Sequence, residues 1–202
     1  MGSREYATPK RSMNRANTTR SGVTTLVIAE DHQVVRHGLT LLLNSQPDFK
    51  LVGEANDGLE AIRLVEATEP DVLLLDLMIP QVHGLEVIGH IRSRRLATRI
   101  IILSMLKEDS MVLESLRRGA TGYVLKEASS RELLEAVRQV AAGRRYLSPG
   151  LSHLLAELDR ETAATARGDC FSAPRVPSWS SPACGWVPRS SFHSSRPSSS
   201  PW

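Results

Sequence analysis

The chain has 202 residues, 41% of them hydrophobic, enough for one real core of common domain size and little more. Its net charge of +3 sits at the ends: residues 1–23 hold five Lys/Arg against one acid and residues 151–202 five against four, but residues 24–150 hold 15 against 17. The middle therefore lacks the basic footprint of a nucleic-acid binder, and no apolar run approaches the ~18 residues of a membrane span.

Taken in chain order, residues 1–23 read as a disordered basic leader without the apolar stretch of a secretion signal. From residue 24, short apolar runs alternate with amphipathic segments. The runs "TLVIA" (25–29), "KLVGEA" (50–55), "VLLL" (72–75), "IIIL" (100–103) and "GYVL" (122–125) read as strands, the continuously apolar ones as central strands covered on both faces. Between them lie "HQVVRHGLTLLLNS", "DGLEAIRLVEATEP", "GLEVIGHIRSRR", "EDSMVLESLRRG" and "SSRELLEAVRQVAAG", which carry helical periodicity. Asp57 with Glu60, and Ser129 with Glu132, stand at capping-box spacing; Pro70, Gly119 and Gly143 mark stops. Five strands and five helices in alternation predict an α/β domain with a doubly wound five-stranded parallel sheet over residues 24–146. Residues 147–160 predict a linker helix, with Leu151, Leu154, Leu155 and Leu158 at helical spacing.

Residues 161–202 change character: 11 Ser and 6 Pro, two Val, and no Leu, Ile or Met. Such a segment cannot bury enough apolar surface to offset its ordering entropy, so it reads as a disordered tail, and its abrupt composition fits out-of-frame translation. It holds all three tryptophans and both cysteines, Cys170 and Cys184, which have no His or Cys partner at zinc spacing. The expectation is a cytoplasmic chain without a zinc or disulfide framework.

In such sheets the functional site lies at the carboxyl ends of the strands. Strand one ends in Glu30 and Asp31, strand three in Asp76, strand four in Ser104 and strand five in Lys126. Clustered carboxylates repel unless a hard cation sits among them, and a cluster of oxygen donors suits Mg²⁺. Asp76 is then a candidate nucleophile for phosphoryl transfer, with Lys126 neutralising charge and Ser104 donating to an anionic oxygen.

These residues resemble the receiver domains of bacterial two-component response regulators. The resemblance rests on the acidic pair Glu30 and Asp31, on "DLMIPQVHG" with Asp76, Pro80 and Gly84, on Ser104, and on "GYVLK" with Tyr123 and Lys126. It implies a CheY-like, flavodoxin-like fold with strand order 2-1-3-4-5. Asp76 would be the phosphoacceptor for a sensor histidine kinase. Asp31, Asp76 and the backbone carbonyl of Met78 would ligate Mg²⁺, with Glu30 acting through water. Ser104 and Tyr123 would form a switch that reshapes the face made by helix four, strand five and helix five. The resemblance also implies no enzyme activity beyond the domain's own Mg²⁺-dependent phosphorylation and dephosphorylation, and a phosphorylation-dependent homodimer. Ile79 and His83 depart from the common residues there, away from the chemistry, while Met78 and Leu106 flank the phosphate site with apolar groups.

The details "EDHQVVRHGLTLLL" and "AVRQVAAGRRYLSP" resemble the NarL/FixJ (LuxR-type) subfamily, whose receivers are joined to a helix-turn-helix. Residues 161–202 carry no such pattern, so DNA is a partner only if the intact gene encodes one. An aspartate-nucleophile phosphatase of the haloacid dehalogenase type usually needs a second acid where Met78 stands, and no glycine-rich phosphate loop follows any strand. Arg92, Arg94 and Arg95 read as a solvated helix end suited to its dipole, and the six histidines are assigned no role.

Overall fold

The apolar runs form the centre of a parallel sheet. The structure, a computed structural model, describes residues 22–166. Strand β1 (Thr24–Ala29) leads to helix α1 (Gln33–Asn44), β2 (Phe49–Ala55) to α2 (Gly58–Thr68), β3 (Val72–Asp76) to α3 (Gly84–Ser93), β4 (Arg99–Ser104) to α4 (Asp109–Arg117), and β5 (Gly122–Leu125) to α5 (Ser130–Ala141). A short β6 (Tyr146–Leu147), a 3₁₀ turn (Pro149–Leu151) and α6 (His153–Ala166) follow. The strands are all parallel and lie in the order β2-β1-β3-β4-β5-β6.

Period-two alternation along the strands sorts their side chains onto two faces. Val27, Leu73, Leu75, Ile100 and Ile102 pack with Ile62 and Val65 of α2, Val87, Ile88 and Ile91 of α3, and Val112 and Leu116 of α4. Leu26, Ile28, Leu74, Ile101 and Val124 pack on the other side with Leu43 of α1 and Leu133, Val137 and Val140 of α5. Burying each such side chain is worth on the order of 2 kcal/mol. Every residue of β3, the aspartate included, is buried, which explains why its sequence is a continuous apolar run.

Two expectations are corrected. The sheet has six strands, not five: the linker contributes β6, whose Tyr146 N donates to Thr121 O at 3.2 Å, while Ser148 N donates to Tyr123 O at 3.0 Å. Without it β5 would be an edge with a row of unpaired backbone groups. The linker is also not a lone helix over 147–160, since α6 starts at His153 and runs to Ala166, into the segment expected to be disordered. Leu151, Leu154 and Leu158 are buried in the cluster that holds Val112, Leu113 and Leu116 of α4, so this segment is part of the core. The leader, apart from its last two residues, and the tail beyond residue 166, with both cysteines, lie outside the described residues.

The caps differ in detail too. Glu60 N donates to Asp57 Oδ1 at 2.7 Å as expected, but the Glu60 carboxylate accepts from Asn56 N at 2.9 Å, one residue before the cap. Glu132 N donates to Ser129 Oγ, whereas its carboxylate turns away to accept from Ser148 Oγ at 2.6 Å and so ties α5 to the segment after β6.

Candidate functional site

Strand register brings the chemistry-bearing residues to one edge. Asp76 pairs with Leu103, Ser104 with Leu125, and Lys126 N donates to Ser104 O at 2.9 Å, so Asp76, Ser104 and Lys126 stand side by side at the ends of β3, β4 and β5. Glu30 and Asp31 follow β1, the neighbour of β3 on its other side. The loop after Asp76 is held from below: Gly84 N donates to Leu77 O at 3.1 Å, and a Cβ at Gly84 would stand 2.9 Å from Asp76 O. Only glycine lets α3 begin this close to the strand end. His83 caps α3 by accepting from Leu85 N through Nδ1 at 3.3 Å.

Asp76 is 2% exposed and Glu30 fully buried. Lys126 Nζ reaches both, donating to Asp76 Oδ2 at 2.9 Å and to Glu30 Oε1 at 3.0 Å. It also lies 2.8 Å from Glu30 Oε2 as an ion pair, though that oxygen receives no well-directed hydrogen bond. Burial works against the charge on Lys126, but the hydrogen bonds to Glu30 and Asp76 and the field of both carboxylates outweigh it, so its pKa is raised. Asp76 Oδ1 accepts from Met78 N at 3.1 Å, which sets the Met78 backbone beside the carboxylate while its side chain faces solvent.

One oxygen each of Glu30, Asp31 and Asp76 and a nitrogen of His32 lie within 4.8 Å of one another. Three carboxylates against one ammonium leave the pocket negative, and Glu30 Oε2 is a buried acceptor short of a donor. The carboxylate oxygens of this group fit a divalent cation of the Mg²⁺ class.

The two switch candidates are adjacent. Ser104 is buried, and its Oγ accepts from Leu106 N at 3.1 Å. Tyr123 is fully buried, and its hydroxyl donates to Leu106 O at 2.9 Å. The ring therefore already points inward, and both side chains grip the backbone of one residue in the β4–α4 loop. Burial above all pushes the Tyr123 hydroxyl pKa up.

Two side chains are not where the sequence placed them. His32 was assigned no role, yet its Nδ1 lies 2.9 Å from Asp31 Oδ1 and 3.1 Å from Glu30 Oε1; its place next to the acidic pair was the available signal. Arg92 was read as part of a solvated end, but its guanidinium is half-buried and donates to Gly119 O at 2.8 Å and Thr98 O at 3.1 Å. Those carbonyls are far off in sequence, so spacing could not reveal them; burial lowers the Arg92 pKa. Arg94 does remain a surface side chain, 3.5 Å from Glu66. No helix of the described residues is long and apolar enough to cross a membrane.

Residues 26–138 match the response regulator receiver domain family. The chain is 39% identical over 145 residues to the nitrate/nitrite response regulator protein NarL of Escherichia coli, a match covering 72% of this chain and 67% of NarL. It is 38% identical over 130 residues to the transcriptional regulatory protein DegU of Brevibacillus brevis, covering 64% of this chain and 55% of DegU. The match thus spans about two thirds or less of the length of these relatives. Among solved structures it is similar to a LuxR-family two-component response regulator from Aurantimonas sp. SI85-9A1, with a TM-score of 0.63, 35% identity, and coverage of 70% of this chain and 99% of that one. It is likewise similar to a LuxR-family DNA-binding response regulator from Staphylococcus aureus, with a TM-score of 0.57, 34% identity, and coverage of 59% and 99%.

Proposed function

The chain belongs to the response regulator receiver domain family of two-component signalling, in its NarL/LuxR-type branch, and from that premise we propose that Asp76 accepts a phosphoryl group from a sensor histidine kinase. One observation carries this reading: a buried carboxylate at a strand end, bonded to Lys126 at 2.9 Å and clustered with Glu30 and Asp31. In the transfer, a carboxylate oxygen of Asp76 attacks phosphorus and forms an O–P bond. The P–N bond to the kinase histidine breaks and its electron pair returns to the imidazole. Lys126 faces the charge that accumulates on the phosphoryl oxygens, and Ser104 is placed to donate to one of them. A Mg²⁺ held by Asp31, Asp76 and the Met78 carbonyl, with Glu30 acting through water, would supply the neutralising charge.

The Ser104 and Tyr123 side chains then report phosphorylation, because both hold the β4–α4 loop through Leu106. A phosphoryl oxygen that accepts the Ser104 hydroxyl hydrogen draws Oγ toward itself, pulls on the Leu106 amide that donates to Oγ, and biases α4 and β5 toward a second arrangement. Output goes through a protein contact of the receiver, a phosphorylation-dependent homodimer in the first place, and DNA becomes a partner only where a helix-turn-helix accompanies the receiver.

The test is incubation of the chain with acetyl phosphate, with and without Mg²⁺, followed by intact mass. One added phosphoryl group, labile in alkali and missing without Mg²⁺, is the expected result. A chain that gains none, or gains it equally without a divalent cation, would overturn the reading. Lifetime gives a further prediction. Met78, two residues beyond Asp76, is 62% exposed and presents apolar surface there, so Met78→Asn should help seat the hydrolytic water and shorten the acyl-phosphate half-life several-fold. An unaltered half-life would remove that role.

A further inference from the structure

We propose that His32 is a direct ligand of the bound cation, which makes this a mixed nitrogen and oxygen site that holds first-row transition ions such as Mn²⁺, Co²⁺ and Zn²⁺ more tightly than Mg²⁺. The proposal rests on the cation-dependent receiver reading above and goes beyond it by naming the fourth donor. Nδ1 of His32 is 2.9 Å from Asp31 Oδ1 and 3.1 Å from Glu30 Oε1. Two ligand atoms bound at right angles, each about 2.1 Å from a metal, stand ~3.0 Å apart. The imidazole nitrogen and the Asp31 carboxylate oxygen thus already have the spacing of neighbouring ligands.

Among the described residues the imidazole has no polar partner besides these two carboxylates. His32 is the residue that precedes α1, but its side chain makes no capping bond, in contrast to His83, whose Nδ1 caps α3. Its side chain is 68% exposed, so packing does not fix it; the carboxylates do. Beside it, Glu30 Oε2 is buried without a directed hydrogen bond. A neutral ring with its hydrogen on Nε2 presents the Nδ1 lone pair to a cation.

Ligand type then decides which ion is held. Mg²⁺ favours oxygen and retains its waters, so it gains little from an imidazole, whereas the transition ions gain from a nitrogen donor, least for Mn²⁺ and more for Co²⁺ and Zn²⁺. His32 therefore separates two classes of cation that compete for the same carboxylates.

The experiment uses the full chain without a histidine tag. Mn²⁺ is titrated and free Mn²⁺ followed by electron paramagnetic resonance, Mg²⁺ affinity is obtained by competition, and pulsed measurements on the bound Mn²⁺ look for coupling to ¹⁴N. The expected result is a ¹⁴N coupling that vanishes in His32→Ala, with Mn²⁺ held at least tenfold more weakly by that variant and Mg²⁺ changed less than twofold. Bound Mn²⁺ that is lost in Asp31→Asn but shows no ¹⁴N coupling would overturn the ligation and leave the receiver reading standing. An equal loss of both cations in His32→Ala would overturn it as well, because it would mean a general electrostatic effect. A chain that binds neither ion would overturn both readings.

Discussion

A chain carrying Asp76→Asn takes up no phosphoryl group from acetyl phosphate, a loss of at least 10³-fold or about 4 kcal/mol of transition-state stabilisation. The amide has the shape of the carboxylate and retains an oxygen for the Met78 amide, which now bonds Oδ1 at 3.1 Å. The core beneath it is untouched, since Leu73, Leu74 and Leu75 are buried by their own neighbours. What goes is the anionic nucleophile, and a neutral amide oxygen cannot replace it. Asp31→Asn supplies the contrast, because it leaves the nucleophile and weakens only the hold on the cation. That variant should still be labelled to completion, more slowly and at higher Mg²⁺. Mapping by peptide mass decides the matter: a phosphoryl group found on Asp76→Asn at the wild-type extent would assign the chemistry to another residue.

The second large effect is on stability. Lys126→Met, measured by urea denaturation without divalent cations, should lower the unfolding free energy by about 2–4 kcal/mol. Lys126 Nζ lies within 3.0 Å of both buried carboxylates, and methionine fills much of its volume while removing the charge. Asp76 and Glu30 are then left facing each other without a counter-ion, which is the costly way to break a buried ion cluster. The 16% exposure of the lysine side chain keeps the cost toward the lower end of that range. Added Mg²⁺ should return part of the loss, and so should a second change, Asp76→Asn, in the same chain. Identical urea midpoints for Lys126→Met and the wild type, with and without cation, would show that the cluster is already relaxed by solvent.

Much of this site is legible in the order of the residues. A continuous apolar run such as Val72–Leu75 can be read as a central strand because both its faces are covered, and an acid or ammonium that ends such a run has few other places to go. Asp76, Lys126, Glu30 and Asp31 announce themselves in this way. The face that each helix buries is legible by the same logic, since Leu133, Val137 and Val140 keep one period. The pieces that escape are those whose partners are distant in sequence. Tyr146 and Leu147 are too few to show alternation, and they become a strand only because β5 offers an open edge. Arg92 has the look of a helix-end charge until the carbonyls of Gly119 and Thr98 close around it. Glu132 stands at the spacing of a capping residue, but Ser148 draws its carboxylate elsewhere. His32 falls between these cases, a lone ring that acquires meaning from the acids on its own loop and from Asp76, which the fold brings to them.

The docking of α6 has a mechanical consequence. Its base is fixed, through Leu154 and Leu158, to the same cluster as Val112 and Leu116 of α4, and its 14 residues make a rod of about 21 Å. Beyond Leu158 the helix runs a further eight residues, about 12 Å, so a tilt of about 10° there would move its end by ~2 Å. A displacement of α4 that begins at the site end of the sheet would therefore be read out, enlarged by that lever, at the end of α6.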